Sequence, residues 1–241
     1  MMMNSAALVT GASGAIGLSV LRHFADHFDG VVHGLSRSAA PAELPSGVQW
    51  HQCDYSDNAL HEVAGALKHA GATLERLVIT NGLLHDGPLQ PERALRQIEV
   101  ASMERVFAVN AFLPMQILAA MTPLLRQADA PRIVALSARV GSLADNGLGG
   151  WYSYRGSKAA LNMMMKCAAI EFRRLNRQAK LMVFHPGTTD SALSAPFQSR
   201  VPPEKLFTPE FVAERLWAVL DASTADGELA YVDWAGKPIP W

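Results

Sequence analysis

Residues 6–17 read AALVTGASGAIG, and no other stretch restricts the possible folds as much. Ala6 to Thr10 is a short apolar strand, Gly11 to Gly17 is too rich in glycine for either regular element, and an amphipathic helical pattern follows to about His27. A strand, a glycine turn and a helix start in that order form an anion site. Main-chain amides and the positive end of the helix dipole face the ligand, and the missing side chains let it approach closely. Gly11, Ser13, Gly14, Ile16 and Gly17 are therefore candidate contacts to the phosphates of a nucleotide. The glycines follow GxxGxxG spacing rather than the commoner GxGxxG, and an ordinary glycine-rich connection is the competing reading of this stretch alone.

The segments that follow extend the nucleotide reading. Val31 to Leu35 forms a second strand and runs into Ser36 and Arg37, where a dinucleotide-binding unit meets the adenosine ribose. An acid there would bind the ribose hydroxyls; Arg37, with no acid beside it, suits a 2'-phosphate, so NADP(H) is the expected cofactor and NAD(H) the alternative. A surface arginine in a loop is the bland account. Val48 to Cys53 is a third strand ending at Asp54, whose carboxylate either bonds an adenine amino group or caps a helix over Asp57 to Ala70. Leu74 to Thr80 closes with the apolar run LVIT, consistent with a parallel strand covered on both faces. Asn81 and Gly82 then open a turn-rich segment beside the expected cofactor; His85 and Asp86 within it read as structural or solvated rather than catalytic.

From Pro91 to Ala128 the pattern is helical, with Pro114 and Pro123 predicting a bend or break. Asn110 lies in the apolar run FAVNAFLP, where a buried amide needs partners; the bland account is a satisfied core group or a bond to backbone freed by Pro114. Pro131 to Leu136 is a strand followed by Ser137 and Ser142, hydroxyls at the carboxyl end of a strand, where open α/β sheets bind ligands. A glycine-rich loop, 145–150, precedes a helix running to about Asn176. The strand Leu181 to His185 ends in Pro186, Gly187 and Thr188. Residues 192–207 are proline-rich and apolar without periodicity, a loop or short lid over a site. A helix from about Pro209 to Leu220 and a strand near Leu229 to Asp233 complete the pattern.

Tyr154 and Lys158 stand four residues apart at the start of the long helix, so a phenol and an ammonium share one face. A nearby cation favours the phenolate, and moving a phenol's pKa by two or three units takes roughly 3 to 4 kcal/mol. Tyr154 is therefore a candidate acid/base, against the bland reading of a solvated helix face. Tyr152 has Gly156 at the matching position and lacks such a partner.

The 241 residues, 49% hydrophobic, suffice for one domain over 1–241 with a short substrate loop near 192–207. A formal charge of -1 offers no basic field for nucleic acid. Cys53 and Cys167 are far apart without metal-ligand spacing, which predicts no metal site, a reducing compartment and two mostly buried thiols. The N-terminal segment has no basic region followed by a long apolar run, and no uninterrupted apolar stretch is long enough to span a bilayer, so a cytoplasmic protein with no membrane partner is expected.

Taken in order, TGASGAIG, Asp54, Asn110, the serines within 137–142, YRGSK and HPGTTDS resemble the classical short-chain dehydrogenase/reductase family over the whole chain. More narrowly, GLLHDG, PERAL, SARVGSLADN, GGWYSYRGSKAALN, HPGTTDSALSAPF and the terminal GKPIPW resemble its C-factor and sniffer-like branch. The resemblance implies an α/β fold of three layers, a Rossmann-type doubly wound parallel sheet of about seven strands. It implies hydride transfer between a nicotinamide and a carbonyl or secondary alcohol, and a homodimer or homotetramer formed through helices around Met115 to Leu125 and Ala159 to Phe172. On this resemblance Tyr154 is the acid/base, Lys158 lowers its pKa and holds the nicotinamide ribose, and Asn110 supports a water-linked proton relay. Pro186 and Gly187 shape the nicotinamide pocket, with Thr188 and Ser191 near the carboxamide. The family's substrate-orienting serine matches Ala138 without gaps, leaving Ser137 one residue early; Ser137 serves only if the strand ends or bulges before it, and Ser142 is the fallback. Ala15 stands at the family's middle glycine, and ITNG replaces NNAG, which leaves supporting bonds to Thr80 and Asn81. The C-factor branch also implies a second class of function, a cofactor-binding signalling or regulatory protein with little turnover.

Overall fold

An apolar strand buried on both faces must sit inside a sheet with helices above and below, and β1 (Asn4–Thr10) is buried from Ala6 onward. The computed structural model describes residues 4–241, so the first three positions of the expected 1–241 domain and of the N-terminal segment lie outside the described residues. After β1 come α1 (Ala15–His27), β2 (Val31–Ser36), β3 (Gln49–Gln52), α2 (Asp57–His69) and β4 (Ala72–Ile79). The middle of the chain forms α3 (Val100–Phe107), α4 (Leu113–Leu125), β5 (Arg132–Leu136), α5 (Tyr152–Leu175) and β6 (Lys180–His185). Two short strands, β7 (Thr188–Thr189) and β8 (Leu206–Phe207), precede α6 (Pro209–Asp221) and β9 (Leu229–Asp233).

Seven strands form one parallel sheet in the order β3-β2-β1-β4-β5-β6-β9. Side chains alternate across the pleat. Leu8, Ile79, Ile133 and Val183 face Leu60 of α2, Ile117 and Met121 of α4, and Leu161 of α5. Ala7, Val9, Val134 and Met182 face Val20 and Phe24 of α1 and Val212 and Leu216 of α6. This is the three-layered, doubly wound arrangement. Chain direction across the sheet reverses between β1 and β4, the place where such folds open a crevice at the strands' carboxyl ends.

Several local expectations change. Ser56, not Asp54, is the N-cap of α2, its side chain accepting from Ala59 N; Asp54 lies two residues before the cap position, and its carboxylate bonds Ser56 N instead. Pro114 has no N–H to offer the carbonyl of Asn110 four residues back. The chain passes this point through a wide π turn at Ala108–Phe112 and continues as α4, and Pro123 sits inside α4 without ending it. Val100–Leu125 is apolar enough by length and composition to cross a membrane, but Glu104 and Arg105 interrupt it, half of its most apolar 18 residues are buried, and Ile117, Met121 and Leu125 form part of the core. Cys53 is buried as expected; Cys167, on the outer face of α5, is exposed. Segment 192–207 is a tied loop: β7 and β8 pair at its base, and 3-10 turns at Ala195–Arg200 and Pro203–Lys205 fill it.

Candidate active site

The turn after β1 is built for close approach. A Cβ on Gly17 would lie 2.4 Å from the Gly11 carbonyl oxygen, so only glycine lets α1 pack this tightly on the turn. Gly14 is the N-cap of α1 without a side-chain cap, and the first turn carries no acid, which leaves the positive helix end for an anion. A cavity of about 320 Å³ lies over Gly14, Ile16 and Gly17, walled by Gly82, Leu83 and Leu193. The turn is anchored from three sides. Thr80 Oγ1 donates to the Thr10 carbonyl at 2.7 Å and Thr10 Oγ1 to Asn81 Oδ1 at 2.6 Å, the supporting bonds expected of that pair. Ser13 Oγ meets Ser36 Oγ at 2.7 Å. Tyr55 supplies an anchor that sequence reasoning missed: its hydroxyl accepts from Gly11 N and donates to the Leu35 carbonyl, each at 2.9 Å. The only signal for it was a phenol at a strand end, which needs a polar partner once buried.

Arg37 is exposed on the loop after β2, its carbonyl bonded by Gln52 Nε2 at 3.1 Å. Asp54 is also exposed, and its Oδ1 accepts from Ser56 N at 2.8 Å, a bond that holds the carboxyl below its usual range.

Tyr154 and Lys158 lie in the first two turns of α5, the ammonium 5.9 Å from the centre of the phenol ring. Lys158 is buried, and its Nζ donates to the Leu136 carbonyl at 2.8 Å. Burial pushes Tyr154 up to about 12 and Lys158 down to about 8. The lowered phenol expected from the neighbouring cation is therefore not found here: stripping water from the phenolate outweighs an ammonium that reaches the ring without bonding its oxygen. Tyr154 is only half-buried and lines an open cleft, so solvent in the cleft tempers that rise.

The cleft, of about 370 Å³, runs between Tyr154, Trp151 and Val140 on one side and Pro186, Gly187 and Thr188 on the other, with Leu84, Leu193 and Phe197 over it. Trp151 and Phe197 were not foreseen; their ring centres are 5.0 Å apart, closing the apolar wall. His85 Nε2 lies 3.1 Å from the Ala192 carbonyl and its ring meets Phe197 edge-on, while Asp86 pairs with Arg105. These contacts tie down the loop, and His85 also lines the cavity over the glycine turn.

Asn110 is fully buried. Its Oδ1 accepts from Leu83 N at 2.7 Å, and its Nδ2 donates to the Leu83 carbonyl at 2.8 Å and to Ser157 Oγ at 3.0 Å. The side chain thus ties the loop after β4 to α5 and does not bond the backbone beside Pro114. Ser137 lines the cleft, but its hydroxyl donates to Asn162 Oδ1 at 2.7 Å, because the ladder continues past β5 through Ser137 N and turns that side chain toward α5. Ala138 also lines the cleft. Ser142 Oγ accepts from Asp145 N at 3.0 Å. Among the described residues no group of three or more His, Cys, Asp or Glu side chains is placed to hold a metal.

A family model described as short chain dehydrogenase matches residues 5–201. C-signal of Myxococcus xanthus is 32% identical over 148 residues, 61% of this chain and 84% of that protein. The 1-hydroxy-2-glutathionyl-2-methyl-3-butene dehydrogenase of Rhodococcus sp. (strain AD45) is 28% identical over 247 residues, covering 98% of this chain and 100% of its own. Among solved structures, the NADPH-bound carbonyl reductase from chicken fatty liver superposes with a TM-score of 0.85 at 20% identity, covering 100% of this chain and 95% of the other.

Proposed function

The chain belongs to the short-chain dehydrogenase family of NAD(P)-dependent oxidoreductases acting on a CH–OH or C=O group, and from that premise we propose a narrower reaction. It exchanges a hydride between NADP(H) and a small apolar carbonyl or secondary alcohol, with Tyr154 as the acid/base. The observation that carries this reading is the placing of Tyr154 at the wall of an apolar cleft that reaches Ile16 of the glycine turn, with the buried Lys158 ammonium behind it on the same face of α5.

Gly11, Ser13, Gly14, Ile16 and Gly17 fit the diphosphate, since the helix start is uncapped and a cavity lies over Gly14, Ile16 and Gly17. Arg37 takes the 2'-phosphate and Asp54 the adenine edge, with Asn81 and Gly82 below. Pro186, Gly187 and Thr188 form the wall against the nicotinamide. The bound nicotinamide supplies or takes the hydride. In reduction the carbonyl carbon gains that hydride and its oxygen gains a proton from the Tyr154 hydroxyl, giving the alcohol. A phenol near 12 is protonated at neutral pH, and an ammonium near 8 is still charged, so the pair is set to give a proton and then stabilise the phenolate left behind. Asn110 holds the loop and α5 in register around the reacting centre. Ser137 reaches a substrate oxygen only by exchanging its bond to Asn162.

Residues 1–241 are read as one cofactor-binding unit with 192–207 as its substrate loop. Exposed Met163 and Ile170 on α5 and Phe112 before α4 mark the face for a homodimer or homotetramer. The enzyme is preferred to a signalling protein with little turnover because mere cofactor binding does not call for a phenol at the wall of an apolar cleft. A screen of carbonyls with NADPH tests this. Turnover of at least one compound, reduced about 100-fold or more in Tyr154→Phe with NADPH binding retained, is the expected result; NADPH binding with no Tyr154-dependent turnover overturns it.

A further inference from the structure

The helix that carries Tyr154 has no cap of its own. Its N-cap residue, Trp151, makes no side-chain cap bond, and its first turn contains no acid, although a helix start leaves several amides without intrahelical partners. Glu92, remote in sequence and only 5% exposed, meets that need. Its carbonyl accepts from Trp151 N at 2.5 Å. Its carboxylate accepts from Ser153 N at 3.2 Å through Oε2 and from the Ser153 hydroxyl through Oε1. Three donors at the start of α5 thus converge on one residue, with a carboxylate at the positive end of the dipole.

The chain entering the helix is held unusually. Gly149, Gly150 and Trp151 are consecutive left-handed residues, with φ of 63°, 66° and 51°. Two are glycines that adopt this freely; a tryptophan does not, and such a conformation persists only where its surroundings fix it. Glu92 fixes the amide of Trp151, and Phe197 and Tyr154 flank the ring, with centroids 5.0 and 6.2 Å away. Glu92, Ser153 and Tyr154 also wall one cavity of about 10 Å³, close to the size of a single water.

We propose that Glu92 is the positioning residue for Tyr154: a cap lent by another segment that fixes both the phenol and the tryptophan wall of the substrate cleft. The inference rests on the acid/base reading of Tyr154. Glu92 touches neither the cleft nor the phosphate turn. Loss of its carboxylate removes the two bonds to Ser153 while the main-chain bond to Trp151 N stays; it therefore displaces the phenol while leaving the dinucleotide site intact, and a displacement of about 1 Å at a reacting group is enough for roughly a 100-fold loss of rate.

The test compares the full-length protein with Glu92→Ala, Glu92→Gln, Ser153→Ala and Tyr154→Phe. The readouts are kcat and KM for the fastest carbonyl of a screen that includes benzil, NADPH affinity, and hydrogen exchange over residues 151–154. Expected are a kcat lower by about 30- to 100-fold in Glu92→Ala, NADPH affinity within about twofold of the unaltered protein, faster exchange at 151–154, and recovery of most of the rate and protection in Glu92→Gln, which keeps the acceptor for Ser153 N. Ser153→Ala, which removes one of the three bonds, shows a smaller loss of the same kind and serves if Glu92→Ala does not fold. A kcat within threefold of the unaltered protein in Glu92→Ala, or in its place an unchanged kcat in Ser153→Ala, overturns the proposal. So does equal damage in Glu92→Gln and Glu92→Ala, or a parallel loss of NADPH affinity. Should no carbonyl be turned over, or Tyr154→Phe be fully active, the enzyme reading fails instead. Exchange then decides the role of Glu92, and unchanged protection at 151–154 rejects it.

Discussion

The ammonium of Lys158 is bound to the main-chain carbonyl of Leu136, 2.8 Å away at the end of β5. That carbonyl partly replaces the water lost on burial, and the lysine still falls from 10.5 to about 8. A depressed folded-state value means that the charged form is disfavoured by folding. The penalty is complete below pH 8 and disappears as pH rises from about 8 to 10.5. Its ceiling is ~3 kcal/mol. Lys158→Met relieves that penalty but leaves the Leu136 carbonyl without its donor, a cost of about 1–3 kcal/mol at either pH. The variant is therefore expected to lose turnover and to compare better with the parent at pH 7 than at pH 10, by up to ~3 kcal/mol. Calorimetry at the two pH values checks this; a stability difference that does not change with pH contradicts it.

Cofactor choice rests on one exposed guanidinium. Arg37 leaves the sheet immediately after β2 with no acidic neighbour in sequence. In Arg37→Ala the affinity for NADPH is expected to fall about tenfold, the loss of a charge-assisted contact, with that for NADH nearly unchanged. Titration of both dinucleotides decides it: an original preference for NADH, or an unaltered ratio in the variant, removes Arg37 from the 2'-phosphate site.

Ser137 and Tyr154 line one cleft, but only the serine has its hydroxyl committed elsewhere, to Asn162 at 2.7 Å. Ser137→Ala leaves a buried acceptor without its donor, so a stability loss of about 1–3 kcal/mol is expected, with kcat reduced less than tenfold. Kinetics beside Tyr154→Phe discriminate. A loss matching that of Tyr154→Phe means that the hydroxyl leaves Asn162 and bonds the substrate during turnover.

The parts legible in the sequence were those fixed by local pattern. Leu229–Asp233 and the start of β2 at Val31 fall where apolar runs put them, and Tyr154 with Lys158 shared a helix face by spacing alone. What escaped depends on partners distant in the chain. Tyr55 reaches Gly11 across 44 positions, and Glu92 reaches Ser153 across 61; neither local propensity nor spacing encodes such bonds. The orientation of Ser137 was unreadable for a related reason. It depends on how far the ladder between β5 and β6 extends, and ends of elements are where sequence pattern is weakest.

Acid should reach the fold through the pair His33 and His51, whose Nδ1 and Nε2 lie 3.0 Å apart across β2 and β3. Only one of two facing nitrogens can carry the shared proton, and His33 is 4% exposed. Burial, and then the charge of His51, pushes His33 from 6.5 down to about 4; burial also lowers His51. Both rings are therefore neutral in the folded protein at pH values where the unfolded chain takes up protons. The resulting stability is complete above 6.5 and is lost as pH falls toward 4, up to ~3 kcal/mol from His33 alone. His185, also pushed down to about 4 by burial, adds a loss in the same window. The melting temperature is thus expected to drop between pH 6.5 and 4.5, and His33→Leu is expected to flatten that drop while retaining the share due to His185. Thermal unfolding of both proteins across this range provides the measurement, and parallel curves would show that the pair already titrates near its unfolded value.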